Sequence, residues 1–513
     1  MSDMVTPSSG PGDVAGAELA ERMAAYRRSR EQIERDILPL ATSIDGLSFE
    51  FQASLYDLEL RRGGYVMLQG SGGAWLGQIT DLKVDTVTAA GDGRAGAAST
   101  VQLRLARGSG IVVDTDGRAF HDASVRPAEA GEVDSWLTRT RPDRAGLVIG
   151  ELLSAPGVSA TLDSGGLGRH TFMCGQSGSG KTYALGLLLE RVLAETGLRI
   201  VVLDPNSDYV GLPRLRDGAD PRLAERYSSV MGDVAVWRND PAADHPLRLA
   251  FADLDPALQA AVLGLDPIRD REEYAALVDL LHGQVGGRPL ITGVDQLLET
   301  TTPGARQLGM RAINLGVLGW QIWSPNLPSL VEALRNPTAR CTVVDLGSLD
   351  TIHEQRLVAE ATLSTLWESR LSRLPTLIVI DEAHNICPAD PTNEVSRLSS
   401  DQAVQIAAEG RKYGLYLLTS TQRPQKVHEN VVSQCDNLLL MRMNSQADLA
   451  DLDRLFSFVP PGLMAGATSF RLGQALVAGK LLPQAAYVQL GERISQEGGA
   501  DVPATWAAPR SSP

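Results

Sequence analysis

An apolar run at residues 172–174 passes directly into a glycine-rich loop that reads Gly175-Gln176-Ser177-Gly178-Ser179-Gly180-Lys181-Thr182. A helical pattern follows over residues 183–195, so the local order is strand, loop and helix. The loop matches GxxxxGK[ST], in which glycines let backbone N–H groups converge on phosphate oxygens at a helix N-terminus. We expect Lys181 to reach the β- and γ-phosphates of a nucleotide and the Thr182 hydroxyl to bind Mg²⁺. An ordinary glycine-rich turn is the alternative, and the flanking strand and helix argue against it.

A second motif ends another apolar run, residues 377–380, with the adjacent carboxylates Asp381 and Glu382. Open α/β sheets bind their ligands at the carboxyl ends of strands. We therefore predict that Asp381 holds the Mg²⁺ shell and that Glu382 is the general base that polarises the attacking water. Alone, such a pair is often a helix N-cap, but beside a phosphate loop it predicts hydrolysis of a nucleotide. We expect His384 to support the site structurally rather than to bind metal.

Two further candidates flank the apolar run at residues 415–418. Gln422 follows this run and has the reach and the hydrogen-bonding capacity to sense a γ-phosphate. Arg411 precedes it, in the segment Glu409-Gly410-Arg411-Lys412-Tyr413-Gly414. The residues leave two interpretations of Arg411 open. It is either a cation that faces the negative end of a helix, or an arginine finger offered to the nucleotide of a neighbouring subunit.

The remaining pattern predicts an α/β protein that follows a small all-β unit. Short strand-like runs at residues 65–68, 74–80, 101–105 and 111–113 are separated by Gly, Asp and Ser turns. Further along, strands alternate with helices, which is typical of a mainly parallel sheet. The segment between Asp204 and Cys341 is too long for one crossover, and we interpret it as a mostly helical insertion. The buried-type strands of the sheet are predicted at residues 172–174, 200–203, 342–344, 377–380, 415–418 and 438–441.

Composition narrows the class of protein. The chain has 513 residues, of which 43% are hydrophobic and 21% charged, so it is long enough for several folded units. The net charge of −15 argues against a protein coated in positive charge for wrapping nucleic acid, although a locally basic channel is allowed. The four cysteines show no CxxC spacing and are expected to be reduced, buried thiols. Without a long apolar run or a signal-peptide pattern, the expected location is cytoplasmic.

Together these motifs resemble those of the HerA branch of the HerA/FtsK ATPases. The resemblance implies a RecA-like P-loop core with a mainly parallel sheet, preceded by a small β-barrel. It also implies a C-terminal extension, over residues 472–493, that braces neighbouring subunits. The segments that carry it are residues 175–182, 203–209, 380–385, 409–414 and 421–424.

The resemblance also implies a function, namely a hexameric ring that uses ATP and Mg²⁺ to move duplex DNA through its centre. A partner nuclease in DNA end processing is a further expectation. Arg411 then becomes a finger acting in trans, Gln422 a sensor, and Arg169 a candidate contact across the subunit boundary. Asp204 matches an acidic nucleotide-site position of the family that helps to orient water. This chain has Asn206-Ser207-Asp208 where His-Gly-Glu is more usual, so the roles of those side chains do not carry over.

Two alternatives remain open at this stage. The ATPase ring could instead be an assembly platform that regulates an effector enzyme in antiphage defence. A substrate pump of the conjugation type is the weaker alternative, because no membrane segment is evident.

The sequence pattern and the resemblance together predict how the chain divides into domains. Residues 1–45 form an N-terminal arm and helix, and residues 46–128 form the small β-barrel. Residues 129–470 form the P-loop ATPase core, with the helical insertion at about 213–338, and residues 471–513 form the C-terminal extension.

Overall fold

The computed structural model describes residues 19–28, 31–32, 39–56, 58–90, 100–282, 284–285, 288–289, 295–296, 299, 303–324 and 328–499. The arm expected at residues 1–16 lies outside these ranges, and helix α1 covers residues 19–28. The described chain forms two compact units. The first contains residues up to 139 together with 154–158 and 460–463, and the second contains residues 140–153, 159–459 and 464 onward. The division into domains that the sequence suggests stays a prediction.

Within the described residues, the first unit contains a closed barrel of six antiparallel strands in the order β1-β2-β5-β4-β3-β6. Exposed and buried residues alternate along β2, so that Phe49, Phe51 and Ala53 point into the barrel core. Leu68 and Ile79 of neighbouring strands pack in the same cluster. The expectation of a small N-terminal barrel is confirmed. The strands are β1 (Leu40–Ser43), β2 (Ser48–Ser54), β3 (Tyr65–Gly70), β4 (Gly73–Ala90), β5 (Thr100–Val112) and β6 (Phe120–Pro127).

One barrel strand differs from the pattern expected from the sequence. Two separate runs are predicted around residues 101–105 and 111–113, whereas β5 continues through both. Gly108 and Gly110 lie inside this strand, where their lack of a side chain makes room for core aromatic rings. A Cβ at Gly108 would lie 2.2 Å from the Phe51 ring, and one at Gly110 would lie 2.4 Å from the Phe49 ring. These glycines therefore leave room for the aromatic rings of the core, and they do not end the strand.

The second unit is built on a sheet of twelve strands among the described residues, in the order β12-β11-β15-β10-β16-β17-β9-β18-β19-β20-β7-β8. Neighbours from β12 to β18 are parallel, and those from β18 to β8 are antiparallel. The predicted mainly parallel α/β core is thus confirmed. The strands are β7 (Gly146–Leu152), β8 (Ser159–Asp163), β9 (His170–Cys174), β10 (Arg199–Asp204), β11 (Val234–Arg238), β12 (His245–Pro246), β15 (Cys341–Asp345), β16 (Thr376–Ile380), β17 (Leu415–Thr421), β18 (Cys435–Leu440), β19 (Gln474–Gly479) and β20 (Ala486–Leu490).

The long segment between β10 and β15 is only partly helical. It contains β11, which pairs in parallel with β15 and so extends the main sheet, and a two-stranded ribbon of β13 (Gln284–Val285) and β14 (Arg288–Pro289). The interpretation as a mostly helical insertion omitted β11. The helices after α1 are α2 (Ala130–Thr140), α3 (Lys181–Glu195), α4 (Pro221–Ser228), α5 (Pro256–Val262), α6 (Arg271–His282), α7 (Pro303–Asn314), α8 (Leu330–Arg335), α9 (Ile352–Glu368), α10 (Glu394–Glu409), α11 (Glu429–Val432) and α12 (Gln446–Leu455).

The register of the parallel strands determines where the loops meet. Cys174 at the end of β9 pairs with Thr421 of β17, and Ile380 at the end of β16 pairs with both Thr419 and Leu203. The loops that follow β9, β10, β16 and β17 therefore emerge at one edge of the sheet. Elsewhere, Cys174, Cys341, Cys387 and Cys435 are all free and buried, as expected. In the described part of the chain, no helix combines the length and apolar character required to span a bilayer.

Candidate active site

The loop between β9 and α3 needs glycine at three positions for two different reasons. Gly178 and Gly180 have φ angles of +71° and +91°, in the left-handed region that favours glycine. At Gly175 the reason is space, because a Cβ there would lie 2.7 Å from the Met441 Cβ. The loop opens onto the N-terminus of α3, whose first N–H groups have no acceptor within the helix. The buried Ser179 hydroxyl also has no hydrogen-bond partner among the described residues. These are the features of a cradle for an anion.

Lys181 connects this loop to the carboxylates after β16. Its Nζ lies 2.7 Å from Asp381 Oδ1 and 3.2 Å from Glu382 Oε1, and it donates a 3.0 Å hydrogen bond to Ser420 Oγ. Burial lowers the pKa of Lys181, but the two carboxylates outweigh burial and raise it above its usual value. The ammonium group therefore stays charged in the interior. A nucleotide phosphate can replace the carboxylates as its partner.

Glu382 is held in an ionised state and an unusual backbone conformation. Its φ of +43° lies in the left-handed region, which costs a non-glycine residue about 1–3 kcal/mol and is typical of functional sites. Gln422 Nε2 donates to its Oε1 over 2.8 Å, and His384 Nδ1 lies 3.2 Å from its Oε2. Burial raises the pKa of Glu382, but His384, Lys181 and Gln422 overcome burial and lower it to about 2. Glu382 is thus a carboxylate with the charge that a general base needs.

Asp381 and Asp204 have different surroundings. The Tyr209 hydroxyl donates to Asp381 Oδ2 over 3.2 Å, which orients the carboxylate from the side opposite Lys181. The Asp204 carboxylate accepts backbone N–H groups of Asn206, Asp208 and Tyr209, so it folds the loop after β10. Burial raises the pKa of Asp204 to about 7, against the lowering effect of those N–H donors. In this structure Asp204 therefore stabilises the backbone of the loop after β10 through hydrogen bonds.

The oxygen ligands needed for Mg²⁺ lie in the same region. Thr182 Oγ1 lies 3.4 Å from Asp208 Oδ2, and Asp381 is the buried carboxylate beside Lys181. A hydroxyl and one or two carboxylates, completed by nucleotide phosphates and water, form the donor set that Mg²⁺ prefers. Thr182 and Asp381 thus fit the roles predicted for them. Asp208 is an additional acid, and burial together with the charge of Asp381 raises its pKa to about 6.

Residues 492–499 form a segment, here called the strap, that packs against the loop Gly175 to Thr182 and against α3. Arg493 and Glu190 are fully buried, 3.7 Å apart, and Arg493 donates to the carbonyl of Thr182. Glu190 accepts the backbone N–H groups of Ile494 and Ser495. A Cβ at Gly186 would lie 2.3 Å from the Arg493 guanidinium carbon, so the helix needs glycine there. The strap therefore fixes α3 from behind.

The strap also forms backbone hydrogen bonds with the loop after β10. Ile494 and Gln496 exchange backbone hydrogen bonds with Arg216 and Arg214, and the Gly498 N–H donates to the Asp208 carbonyl. A Cβ at Gly211 would lie 2.3 Å from the Gln496 carbonyl oxygen. The strap therefore contacts both α3, which carries Thr182, and the loop after β10, which carries Asp208. Contact of the C-terminal extension with a neighbouring subunit stays a prediction.

Arg411 and Arg169 lie away from these residues. They precede β17 and β9, at the amino ends of strands whose carboxyl ends carry the site. The five residues of β9 span about 16 Å, which no arginine side chain bridges. Both guanidinium groups instead contact Asp436, at 2.8 Å from Arg411 and 3.2 Å from Arg169. Neither arginine can therefore reach the nucleotide site of its own chain.

The chain has relatives among known proteins. Residues 147–295 match the family model described as Helicase HerA, central domain. The DNA double-strand break repair helicase HerA of Pyrococcus furiosus is 22% identical over 67% of this chain and 69% of its own length. The protein of that name from Saccharolobus solfataricus is 23% identical over 72% of this chain and 73% of its own. The chain is an ATPase that is similar to the HerA/FtsK type.

Among solved structures, VirB4 of Thermoanaerobacter pseudethanolicus aligns with a TM-score of 0.48 and 15% identity, over 69% of this chain and 98% of that chain. The ATPase binds nucleotide, and the loop from Gly175 to Thr182 is the segment whose geometry fits that role.

The structure brings together most of the predicted site residues of this ATPase, namely Lys181, Thr182, Asp381, Glu382 and Gln422. It also reveals partners that the sequence analysis missed. Ser420, Tyr209 and Asp208 each contact one of the predicted residues from another loop. Tyr209 and Asp208 lie within the segment 203–209 already noted for its resemblance, and Ser420 lies near the carboxyl end of β17, so their position at or after strand ends was the available signal. His384 contacts Glu382, in agreement with a supporting role.

Proposed function

We propose that this ATPase assembles into a ring, expected to be a hexamer, that hydrolyses ATP with Mg²⁺ and moves along double-stranded DNA. The observation that carries the proposal is the separation of Arg411 from the nucleotide site of its own chain. A finger that cannot act in cis acts on a nucleotide held by a second copy. The relatives named as DNA double-strand break repair helicases support duplex DNA as the substrate. A partner nuclease remains a prediction.

The residues take the following roles in this proposal. Lys181 and the loop N–H groups bind the phosphates, and Thr182 and Asp381 would hold Mg²⁺, whose charge would offset that of the transferred phosphoryl group when the ion is bound. Glu382 accepts the proton of the attacking water, and its contact with Gln422 links it to the strand end expected to sense the γ-phosphate. Arg411 of a neighbouring subunit stabilises the charge of the transition state. Asp204 supports the site by holding the loop that bears Tyr209 and Asp208.

Duplex DNA is expected to stimulate ATP hydrolysis, and the stimulation should fall steeply with salt. Contacts in a translocating channel are mainly to phosphates, so binding releases counterions. If six to ten phosphates are contacted, apparent affinity falls by roughly 10³- to 10⁵-fold between 50 and 200 mM salt. The measurement is the steady-state ATPase rate against duplex concentration at several salt concentrations. Equal rates with and without DNA at low salt would contradict DNA translocation and favour the assembly platform.

Arg411→Ala is expected to lose most ATPase activity alone and to regain part of it when mixed with Lys181→Ala subunits. Lys181→Ala subunits lack a working nucleotide site but still offer an intact Arg411 to the site of a neighbour. An arginine finger contributes about 10³- to 10⁵-fold to turnover, so the loss should be large. Arg454→Ala, which changes an exposed arginine on α12, is the matched control. Particle mass with and without ATP reports whether the ring forms, and a solitary subunit that turns over ATP at full rate would oppose the proposal.

A further inference from the structure

Asp436 joins two arginines at the amino-terminal edge of the sheet. Its Oδ2 lies 2.8 Å from Arg411 Nη1 and 3.2 Å from Arg169 Nη1. The three residues lie at the amino ends of β17, β9 and β18, which are neighbours in the sheet. One carboxylate oxygen therefore holds two guanidinium groups side by side. Without it, two like charges would repel each other across this short distance.

The cluster is exposed, which limits its value for folding. The side chains of Arg411, Asp436 and Arg169 are 33%, 40% and 49% exposed. Ion pairs that are this accessible to water contribute little to stability. Among the described residues, Asp436 is the only acidic side chain paired with either arginine. Each guanidinium has five N–H donors, so donors remain that can meet an anion from outside the chain.

The backbone that carries Asp436 is rigid. The next residue, Asn437, is fully buried, and its amide donates to the Gly166 carbonyl and to Thr171 Oγ1 over 2.9 and 3.0 Å. The Lys480 N–H donates to Asn437 Oδ1, and a Cβ at Gly479 would lie 2.1 Å from the Asp436 carbonyl oxygen. The carboxylate therefore projects from a fixed point. A group on a rigid element positions its partner more accurately than a group on a loop does.

The residue beneath the cluster adds no competing charge. His170 is fully buried, and its Nδ1 accepts the Leu417 N–H over 2.9 Å. Burial, together with the charges of Arg411 and Arg169, lowers the pKa of His170 to about 4. The imidazole is thus neutral at ordinary pH. Asp436 is left as the group that sets the direction of the two guanidinium groups.

We infer that Asp436 is a positioning residue, which holds Arg411 with Arg169 beside it in the orientation that meets the nucleotide of a second copy. The inference rests on the proposed function, because it needs Arg411 to act in trans. The physical reason is preorganisation. A long, flexible arginine that is already oriented loses less conformational freedom when the transition state forms.

Asp436→Asn tests this inference, because it keeps the shape of the side chain and removes its charge. The expected result is a fall in kcat of between about tenfold and a hundredfold, the range that a small misplacement of a catalytic group produces. KM for ATP and the affinity for a fluorescent ATP analogue should not change, because Asp436 is remote from its own nucleotide site. Asp453→Asn, which changes an exposed aspartate on α12, is the matched control. If Asp436→Asn does not fold, Asp436→Ser replaces it.

Mixing with Lys181→Ala subunits separates a positioning role from a general structural one. Lys181→Ala subunits offer an intact pair of Asp436 and Arg411, so the rate per Asp436→Asn subunit should rise toward that of the unmodified protein. A defect that mixing does not relieve overturns the inference, and so does a normal kcat for Asp436→Asn alone. If Arg411→Ala is inactive and rescued by mixing while Asp436→Asn is normal, only the inference fails. If Arg411→Ala is fully active, the proposed finger fails as well.

Discussion

Glu382→Gln should bind ATP and fail to hydrolyse it. The glutamine keeps the size of the side chain but cannot accept the proton of the attacking water, and general-base catalysis typically contributes about 10²- to 10⁴-fold. Binding should be retained or tighter. The loop from Gly175 to Thr182 is untouched, and Lys181 loses one of the two carboxylates that compete with phosphate for its ammonium group. Single-turnover hydrolysis and equilibrium binding of an ATP analogue measure the two effects separately.

The matched control is Glu225→Gln, which removes an exposed carboxylate on α4. It should leave both hydrolysis and nucleotide binding unchanged. Comparable turnover in Glu382→Gln and the unmodified protein would remove Glu382 from the role of general base. The pKa of about 2 predicts in addition that this base stays ionised across the neutral and mildly acidic range. Loss of activity on moderate acidification would therefore have to come from another group.

Lys181→Ala should abolish ATP turnover because it weakens phosphate binding and stabilisation of the transition state, whereas Glu382→Gln removes the general base. Removal of a single electrostatic donor from a transition-state site costs about 10²- to 10³-fold, and Lys181 also contributes to binding the phosphates. The structure adds a second consequence. Asp381 and Glu382 lose their shared buried cation, and removal of one partner from a buried ion pair costs about 3–5 kcal/mol. The variant should therefore unfold at a lower temperature in the absence of nucleotide, which differential scanning calorimetry measures.

Lys426→Ala is the control for this variant, because Lys426 is exposed in the short turn after β17. It should change neither ATP binding nor the melting temperature. Neutralising one of the two acidic partners should recover part of the lost stability but no activity, so the double variant Lys181→Ala with Glu382→Gln separates the two effects. Normal ATP binding by Lys181→Ala would contradict the assignment of Gly175 to Thr182 as the phosphate loop.

The sequence predicted the parts of the site that lie in continuous motifs. Lys181 and Thr182 follow a glycine loop, and Asp381 and Glu382 end an apolar strand, so a local pattern carries both the chemistry and the position. The contacts of Tyr209 with Asp381 and of Ser420 with Lys181 join segments far apart in the chain. Such pairs depend on strand order and register, which a single sequence does not specify. The same reason explains why the link between Asp436 and Arg411 was not predicted.

The fold was predicted best where a structural element has a single characteristic sequence pattern. The buried parallel strands form apolar runs, and all six predicted ones are present. The errors arise where one residue type serves two purposes. Gly108 and Gly110 suggested a turn, but they make room for Phe51 and Phe49 inside a continuous strand. The strand β11 was missed because it is a short run within a segment of several helices, and only its pairing with β15 identifies it.

The strap has a consequence for biosynthesis. Residues 492–499 leave the ribosome long after the phosphate loop and Asp381 have been made. Until they emerge, Glu190 lacks its buried partner Arg493, and the back of the P-loop helix faces water. The contacts that hold α3 and the loop after β10 from behind can therefore form only after residues 492–499 have been made.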